Sequence, residues 1–238
     1  MAWLEQHFGW RASGWLIVVM ASLCTLLAAT RIPRVEPGSE PALSQQWATL
    51  NRRSLWAAYL TSGLIIGATF AGFSYCAPIL IDAAGLQPRH LAPLLALYGI
   101  ANLLGNYVVG RVADRYTMPA LGWGLVMLVV SLSGFALAGD RLWLNIGFFI
   151  MLGLTGVALN PAMVARVMKA AEPTALVNIL HTSVITGGLA VGSWAGGAVI
   201  EAGYGLRAPL WVGAGIALVG LISLWRPFAV RREAEVCV

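Results

Sequence analysis

The run Gly110-Arg111-Val112-Ala113-Asp114-Arg115 sets three charges behind a glycine, between two long apolar stretches. Gly110 lets the backbone turn tightly. Asp114 can accept hydrogen bonds from a helix amino terminus or pair with Arg115. Charge-assisted bonds of this kind hold two helices in one arrangement and break in another. The other reading is a basic loop with a solvated ion pair, and such a pair contributes little. Spacing leaves both open.

His181 is the only readily titratable side chain inside the apolar stretches. With an unperturbed pKa near ~6.5, a histidine can relay a proton; it can equally be a neutral, hydrogen-bonded interior residue. Thr69, Tyr75, Asn102 and Thr155 are further polar residues within these stretches, as are Asn178, Thr182, Ser183 and Thr186. Polar groups in such surroundings usually face protein or a water-filled cavity. Thr69, Tyr75, Asn102, Thr155 and His181 are the expected lining of a substrate cavity. Asn102 lies near mid-stretch and cannot easily satisfy its whole amide locally. Gly188-x-x-x-Gly192-x-x-x-Gly196 gives one helix face without side chains, which allows close backbone approach. That face serves as static helix packing or as a surface on which helices slide.

Other chemistries have no residues to carry them. The sequence has no phosphate loop, dinucleotide fingerprint or zinc-protease pattern. It has no G-x-S-x-G nucleophile elbow. Cys24, Cys76 and Cys237 show no metal spacing and form no disulfide framework. No cofactor, no metal and no enzymatic activity are expected; an intramembrane enzyme would need paired ionisable groups, and the stretches offer one histidine.

The elements that must position these residues are seven uncharged windows: 12–30, 55–81, 91–110, 116–139, 142–165, 173–200 and 208–225. Hydrophobic residues are 59% of the 238, charged residues only 11%, and the mean hydropathy is +0.78. Soluble domains sit near 45–50% apolar. A helix needs roughly 20 apolar residues to cross the hydrocarbon. Lipid forbids unpaired backbone, so helices are expected throughout. The alternation of a transmembrane barrel is missing. The expected fold is therefore all-α, a polytopic membrane protein with seven transmembrane helices.

The net charge of +5 follows from topology rather than from nucleic acid binding. If each window crosses once, one set of loops holds Arg31, Arg34, Arg52, Arg53, Arg111, Arg115, Arg166, Lys169, Arg226, Arg231 and Arg232. The other holds Arg11, Arg89, Arg141 and Arg207. Cytoplasmic loops are the Lys/Arg-rich ones, so the carboxyl terminus is expected inside and the amino terminus outside. Glu5, Gln6 and His7 do not make the basic start of a signal peptide. The longest polar stretch, 31–54, holds Pro33, Pro37 and Pro41 and reads as a cytoplasmic linker. It separates a lone helix (1–30) from a six-helix block (55–238).

One internal repeat is visible. Gly9-Trp-Arg11-Ala-Ser-Gly-Trp15 opens the first window and Gly205-Leu-Arg207-Ala-Pro-Leu-Trp211 opens the last. If the last helix closes a six-helix block, the first closes an earlier one whose other five helices are not in this sequence.

These residues carry a resemblance. Gly105-Asn-Tyr-Val-Val-Gly110-Arg111-Val-Ala-Asp114-Arg115 resembles the loop motif of the major facilitator superfamily, in its copy between helices eight and nine. Residues 70–85 resemble the end of helix seven in its drug efflux branch, which includes chloramphenicol-resistance and arabinose-efflux permeases. Residues 205–211 are similar to the start of helix twelve in the chloramphenicol exporters, so the first window resembles helix six. The first-half loop motif and the glycine-rich helix five of that family would lie before Met1. His181 and Thr186 stand where relatives often have asparagine.

The resemblance implies a partial proton-coupled efflux carrier for a small, moderately apolar compound, working by alternating access in the cell (inner) membrane. It implies that Gly110, Arg111, Asp114 and Arg115 form a gating loop on the inner side. Expected partners are the small-molecule substrate, protons, the lipid bilayer and a complementary amino-terminal half; no nucleic acid is expected. A coupling carboxylate is expected in that other half. The competing readings are a half-length partner or regulator of another carrier, and a sugar or metabolite efflux permease.

Overall fold

The computed structural model describes residues 10–31, 50–171 and 174–236. Most of the expected linker, the Gly9 end of the repeat and Cys237 lie outside the described residues. The described residues are helical and contain no strand. The helices are α1 (Trp10–Arg31), α2 (Arg53–Phe73), α3 (Cys76–Pro78), α4 (Leu91–Leu137), α5 (Leu142–Thr155), α6 (Asn160–Ala170), α7 (Ala175–Glu201) and α8 (Ala208–Val236).

The chain divides into two compact units, Met1–Ala42 and Leu43–Val238. The first contains α1. Its two threonines spend their hydrogens on the helix itself: Thr25 donates to the Ala21 carbonyl and Thr30 to that of Leu26, each at 2.9 Å. That removes bare donors from an apolar helix.

The second unit holds α2 to α8. Four segments are long and apolar enough to cross a membrane: Arg53–Phe73, Pro88–Leu137, Leu142–Ala170 and Ala175–Glu201. Gly14–Thr30 and Ala208–Leu224 are shorter apolar helices. The 50-residue segment spans two of the windows read from the sequence. It is not one rod. Tyr98 and Phe135 both pack on Phe149, at ring-centroid distances of 4.9 and 6.1 Å. In a straight helix those two residues would stand roughly 55 Å apart. The chain folds back at Tyr116, whose φ of −124° and ψ of 40° leave the helical region. Pro119 explains why the turn falls there: it has no N–H to give the Arg115 carbonyl, so the preceding turn cannot be continued. The result is a first limb (91–115) and a second limb (117–137).

Contact registers give the direction of each rod. Gly63, Gly67 and Ala71 of α2 meet Gly188, Gly192 and Gly196 of α7 in ascending order, so these two run parallel. The first limb and α5–α6 also run parallel, through Gly105 on Ala158 and Gly110 near Pro161. The second limb opposes α5–α6, with Gly134 on Phe148 and Gly124 on Leu159. α8 opposes α2: Gly213 lies on Ala68, Gly220 on Leu64, and the Thr61 and Ser223 hydroxyls meet at 3.1 Å.

A stack of Phe73, Tyr98 and Phe149, with centroids 4.8 and 4.9 Å apart, joins α2, the first limb and α5. Leu121, Leu125, Leu128 and Leu132 fill the space beside it with no exposure. Trp143, Trp194 and Tyr204 are exposed near helix ends, where amphipathic rings sit at the headgroup level.

Candidate functional site: an open polar helix face and a pinned turn

α7 is the least enclosed long helix of its unit. Only 17% of its most apolar window is buried, against 67% for α2. Its two faces differ in chemistry. Val177, His181, Gly192 and Gly196 are buried against α2. Asn178, Thr182, Ser183 and Thr186 are exposed and line an open groove with Gly187 and Ala190. Thr182, Ser183 and Thr186 donate to the carbonyls of Asn178, Ile179 and Thr182 at 3.0, 3.0 and 2.9 Å. Their hydrogens are spent, so they offer lone pairs outward, beside the Asn178 amide. The groove is lined by uncharged residues.

The residues expected to line a cavity fall into two places. Thr69, Asn102 and Thr155 gather round the break between α5 and α6. Thr69 is fully buried, donates to the Ile65 carbonyl at 2.8 Å and touches Gly156. Thr155 donates to the Met151 carbonyl at 2.9 Å. The half-buried Asn102 amide reaches the Gly153 carbonyl at 3.3 Å. Interrupted helices are where carriers place binding groups near mid-membrane.

Tyr75 and His181 lie apart from these, at opposite ends of the α2–α7 seam. Tyr75 donates to the Ser193 carbonyl at 2.8 Å. His181 is 4% exposed, stacks on Tyr59 at 5.9 Å and bonds Ser62 through Nε2 at 3.1 Å. Ser62 gives its one hydrogen to the Ala58 carbonyl. With that hydrogen on the Ala58 carbonyl, Nε2–H is the donor to Ser62. The ring faces α2 and not the open groove. The spacing already held this: His181, Gly188 and Gly192 share one face, whereas Thr182, Thr186 and Ser183 lie roughly 100–200° round the helix.

The turn at Tyr116 is pinned from α6. Lys169 Nζ donates to the Asp114 carbonyl and, at 2.7 Å, to the Thr117 hydroxyl. A cation at the carboxyl end of the first limb also complements its dipole. Arg111 and Arg115 lie over the rings of Tyr107 and Tyr116, at 4.7 and 5.4 Å. The Asp114 carboxylate makes no ion pair with any described residue. Lys169 belongs to the basic set read from the sequence, but a contact between residues 55 positions apart has no sequence signal. Lys169→Met is expected to cost roughly 1 kcal/mol, the scale of one bond to a charged group in a half-exposed place. Thermal unfolding reads the loss, and trypsin applied to the face that carries this turn should cut after Arg115 several times faster. An unchanged cutting rate would show that Lys169 does not hold the turn.

The comparisons with known proteins agree with this architecture. The Major Facilitator Superfamily profile matches residues 1–176 and 90–236. The inner membrane transport protein YdhP of Escherichia coli (strain K12) is 30% identical over 239 residues, which cover 99% of this chain and 61% of that protein. The chloramphenicol resistance protein of Streptomyces lividans is 28% identical over 228 residues, 92% of this chain and 57% of its own length. The MFS-type transporter YtbD of Bacillus subtilis (strain 168) is 25% identical over 243 residues, 98% of this chain and 60% of its own length. The chain thus spans about three-fifths of the curated relatives it matches. Helices that bury their polar backbone, an apolar surface and profile matches that together run the length of the sequence lead to one conclusion: this multi-pass membrane protein belongs to the major facilitator superfamily.

Proposed function

We propose that this chain is the carboxy-terminal half of an efflux carrier, preceded by the last helix of the other half. In this reading residues 1–30 are that last helix, 31–54 a cytoplasmic linker and 55–238 six crossings, seven crossings in all. The carboxyl terminus faces the cytoplasm and the protein lies in the cell's inner membrane.

The single observation that carries the reading is the uncharged polar stripe Asn178, Thr182, Ser183 and Thr186 on the open face of α7. A face meant for lipid would be apolar; a face meant for bulk water would carry charge. This one suits a wall of a cavity closed by a second, complementary half. The cargo is a small, moderately apolar compound. The chloramphenicol resistance protein among the relatives supports that class. Protons drive export, and the coupling carboxylate belongs to the other half, because the described apolar windows hold none. Gly110, Arg111, Asp114 and Arg115 gate the inner side, with the Asp114 carboxylate left to pair across the halves.

The test is export of chloramphenicol from a drug-sensitive bacterium. Cells making residues 1–238 alone should export no more than control cells. Cells that also make a separate amino-terminal half from a relative should export it, and an uncoupler should stop them. Robust export by the chain alone would sink the half-carrier reading.

A further inference from the structure

Arg207 is the outer-side counterpart of Lys169, and its contacts reach further. It stands in the heptad Gly205–Trp211, which repeats the one at the start of the chain. Gly203 and Gly205, with φ of +85° and +86°, turn the chain back after α7 and deliver Arg207 to the start of α8. One guanidinium nitrogen, Nη2, then donates to the Ala83 carbonyl at 3.0 Å and to the Gly139 carbonyl. These acceptors lie 124 and 68 residues away. Both sit at carboxyl ends. Ala83 closes the π turn Ile79–Ala83 that prolongs α3, and Gly139, at φ +59°, follows the second limb. Carbonyls at such ends have no partner further along the helix and carry its negative pole.

The same Gly139 carbonyl accepts from Asn145 Nδ2 at 3.0 Å, and that amide also holds the Arg141 carbonyl at 3.0 Å. Asn145 is fully buried. The network therefore ties the outer ends of α3, the second limb, α5 and α8. Asp140 adds little: its carboxylate is 3.8 Å from Arg207 and fully exposed, while the Arg207 side chain is 25% exposed.

We propose that Arg207 is a clamp that makes the outer ends of these helices move as one body, acting through helix-end carbonyls and not through its ion pair. Arginine suits the task because Nη2 holds its two N–H donors fixed in the guanidinium plane and is weakly hydrated, whereas a lysine ammonium is a strongly hydrated point charge on a flexible stem.

The test uses the full chain in lipid nanodiscs, with Cys24, Cys76 and Cys237 replaced by serine. Spin labels at Trp143→Cys and Tyr204→Cys report the outer side, and labels at Arg52→Cys and Met168→Cys report the inner side. Arg207→Ala should lengthen and broaden the outer distance while the inner distance stays put. Arg207→Lys should fall between Arg207→Ala and the parent, and Asp140→Asn should leave both distances unchanged. An outer distance unmoved by Arg207→Ala overturns the clamp. So does an Asp140→Asn effect as large as that of Arg207→Ala, which would place the hold in the ion pair. If Arg207→Ala fails to fold, Arg207→Gln and Arg207→Lys decide the matter by the same readout, and a Lys variant indistinguishable from the parent overturns it.

Discussion

Gly192→Ala should unfold the α2–α7 seam, while Gly187→Ala, five residues earlier on the same helix, should be neutral or mildly stabilising. A Cβ on Gly192 overlaps the Gly67 carbonyl oxygen and stands 2.7 Å from the Gly67 Cα. Those are backbone atoms, so no rotamer change relieves the collision. A Cβ on Gly187 meets nothing within 4 Å. At that open position alanine should gain roughly 1 kcal/mol of helix propensity. At Gly192 two helices must separate, and overpacking of this kind costs roughly 3 kcal/mol. That is a large share of a stability of about 5–15 kcal/mol. The measurement is the fraction of purified protein eluting as one species, with its thermal midpoint in detergent. Equal behaviour of the two variants would mean the seam is not packed backbone to backbone. The glycine spacing already places Gly192 in the Gly188–Gly196 stripe and leaves Gly187 out of it; the structure adds that the stripe faces α2.

Arg166→Met is expected to raise stability. Arg166 is 6% exposed, on the face of α6 that also buries Ala162, Met163 and Val167. Among the described residues its Nη1 has no hydrogen-bond partner and no carboxylate pairs with it. A guanidinium so placed gives up hydration and gains little from its described neighbours in return. Methionine has a similar reach and no charge. The gain should be roughly 1–3 kcal/mol, the order seen when buried charges give way to apolar groups. In a protein of this size that is several degrees in the unfolding midpoint. A lowered midpoint would show that Arg166 is held by a group other than those described, and would turn attention to what approaches α6.

The fold was largely legible because lipid writes itself into sequence. Each uncharged window falls largely on helix, and the charged run at 111–115 ends one residue before the turn at Tyr116, inside what would otherwise be one long helix. Family membership was legible in the same run. The interior was harder to read. Thr69 and Thr155 are polar by type, yet each donates to the carbonyl four residues back and faces packed helices. Residue type says a hydroxyl is present, not where its hydrogen goes. His181 was placed with the cavity because it is titratable, but Ser62 and Tyr59, over a hundred residues away, hold it in the seam. Gly63-x-x-x-Gly67-x-x-x-Ala71 has the spacing of the α7 glycines and was hidden by the neighbouring Thr61, Ser62 and Thr69. Lys169 and Arg207 were visible as charges, and only the fold shows that they bind helix-end carbonyls.

The seam between α2 and α7 also sets a schedule for biogenesis. Gly63 and Gly188 touch but lie 125 residues apart in the chain. At about 5–20 residues per second, a ribosome takes roughly 6–25 s to supply the second stripe after the first. Through that interval α2 is already in the bilayer, its side-chain-free face turned to lipid or to the insertion machinery. The last helices to be made are the ones that cover it. The half-made protein therefore presents its most association-prone surface during synthesis, and a pause or truncation before α7 would leave that surface as a template for the wrong helix.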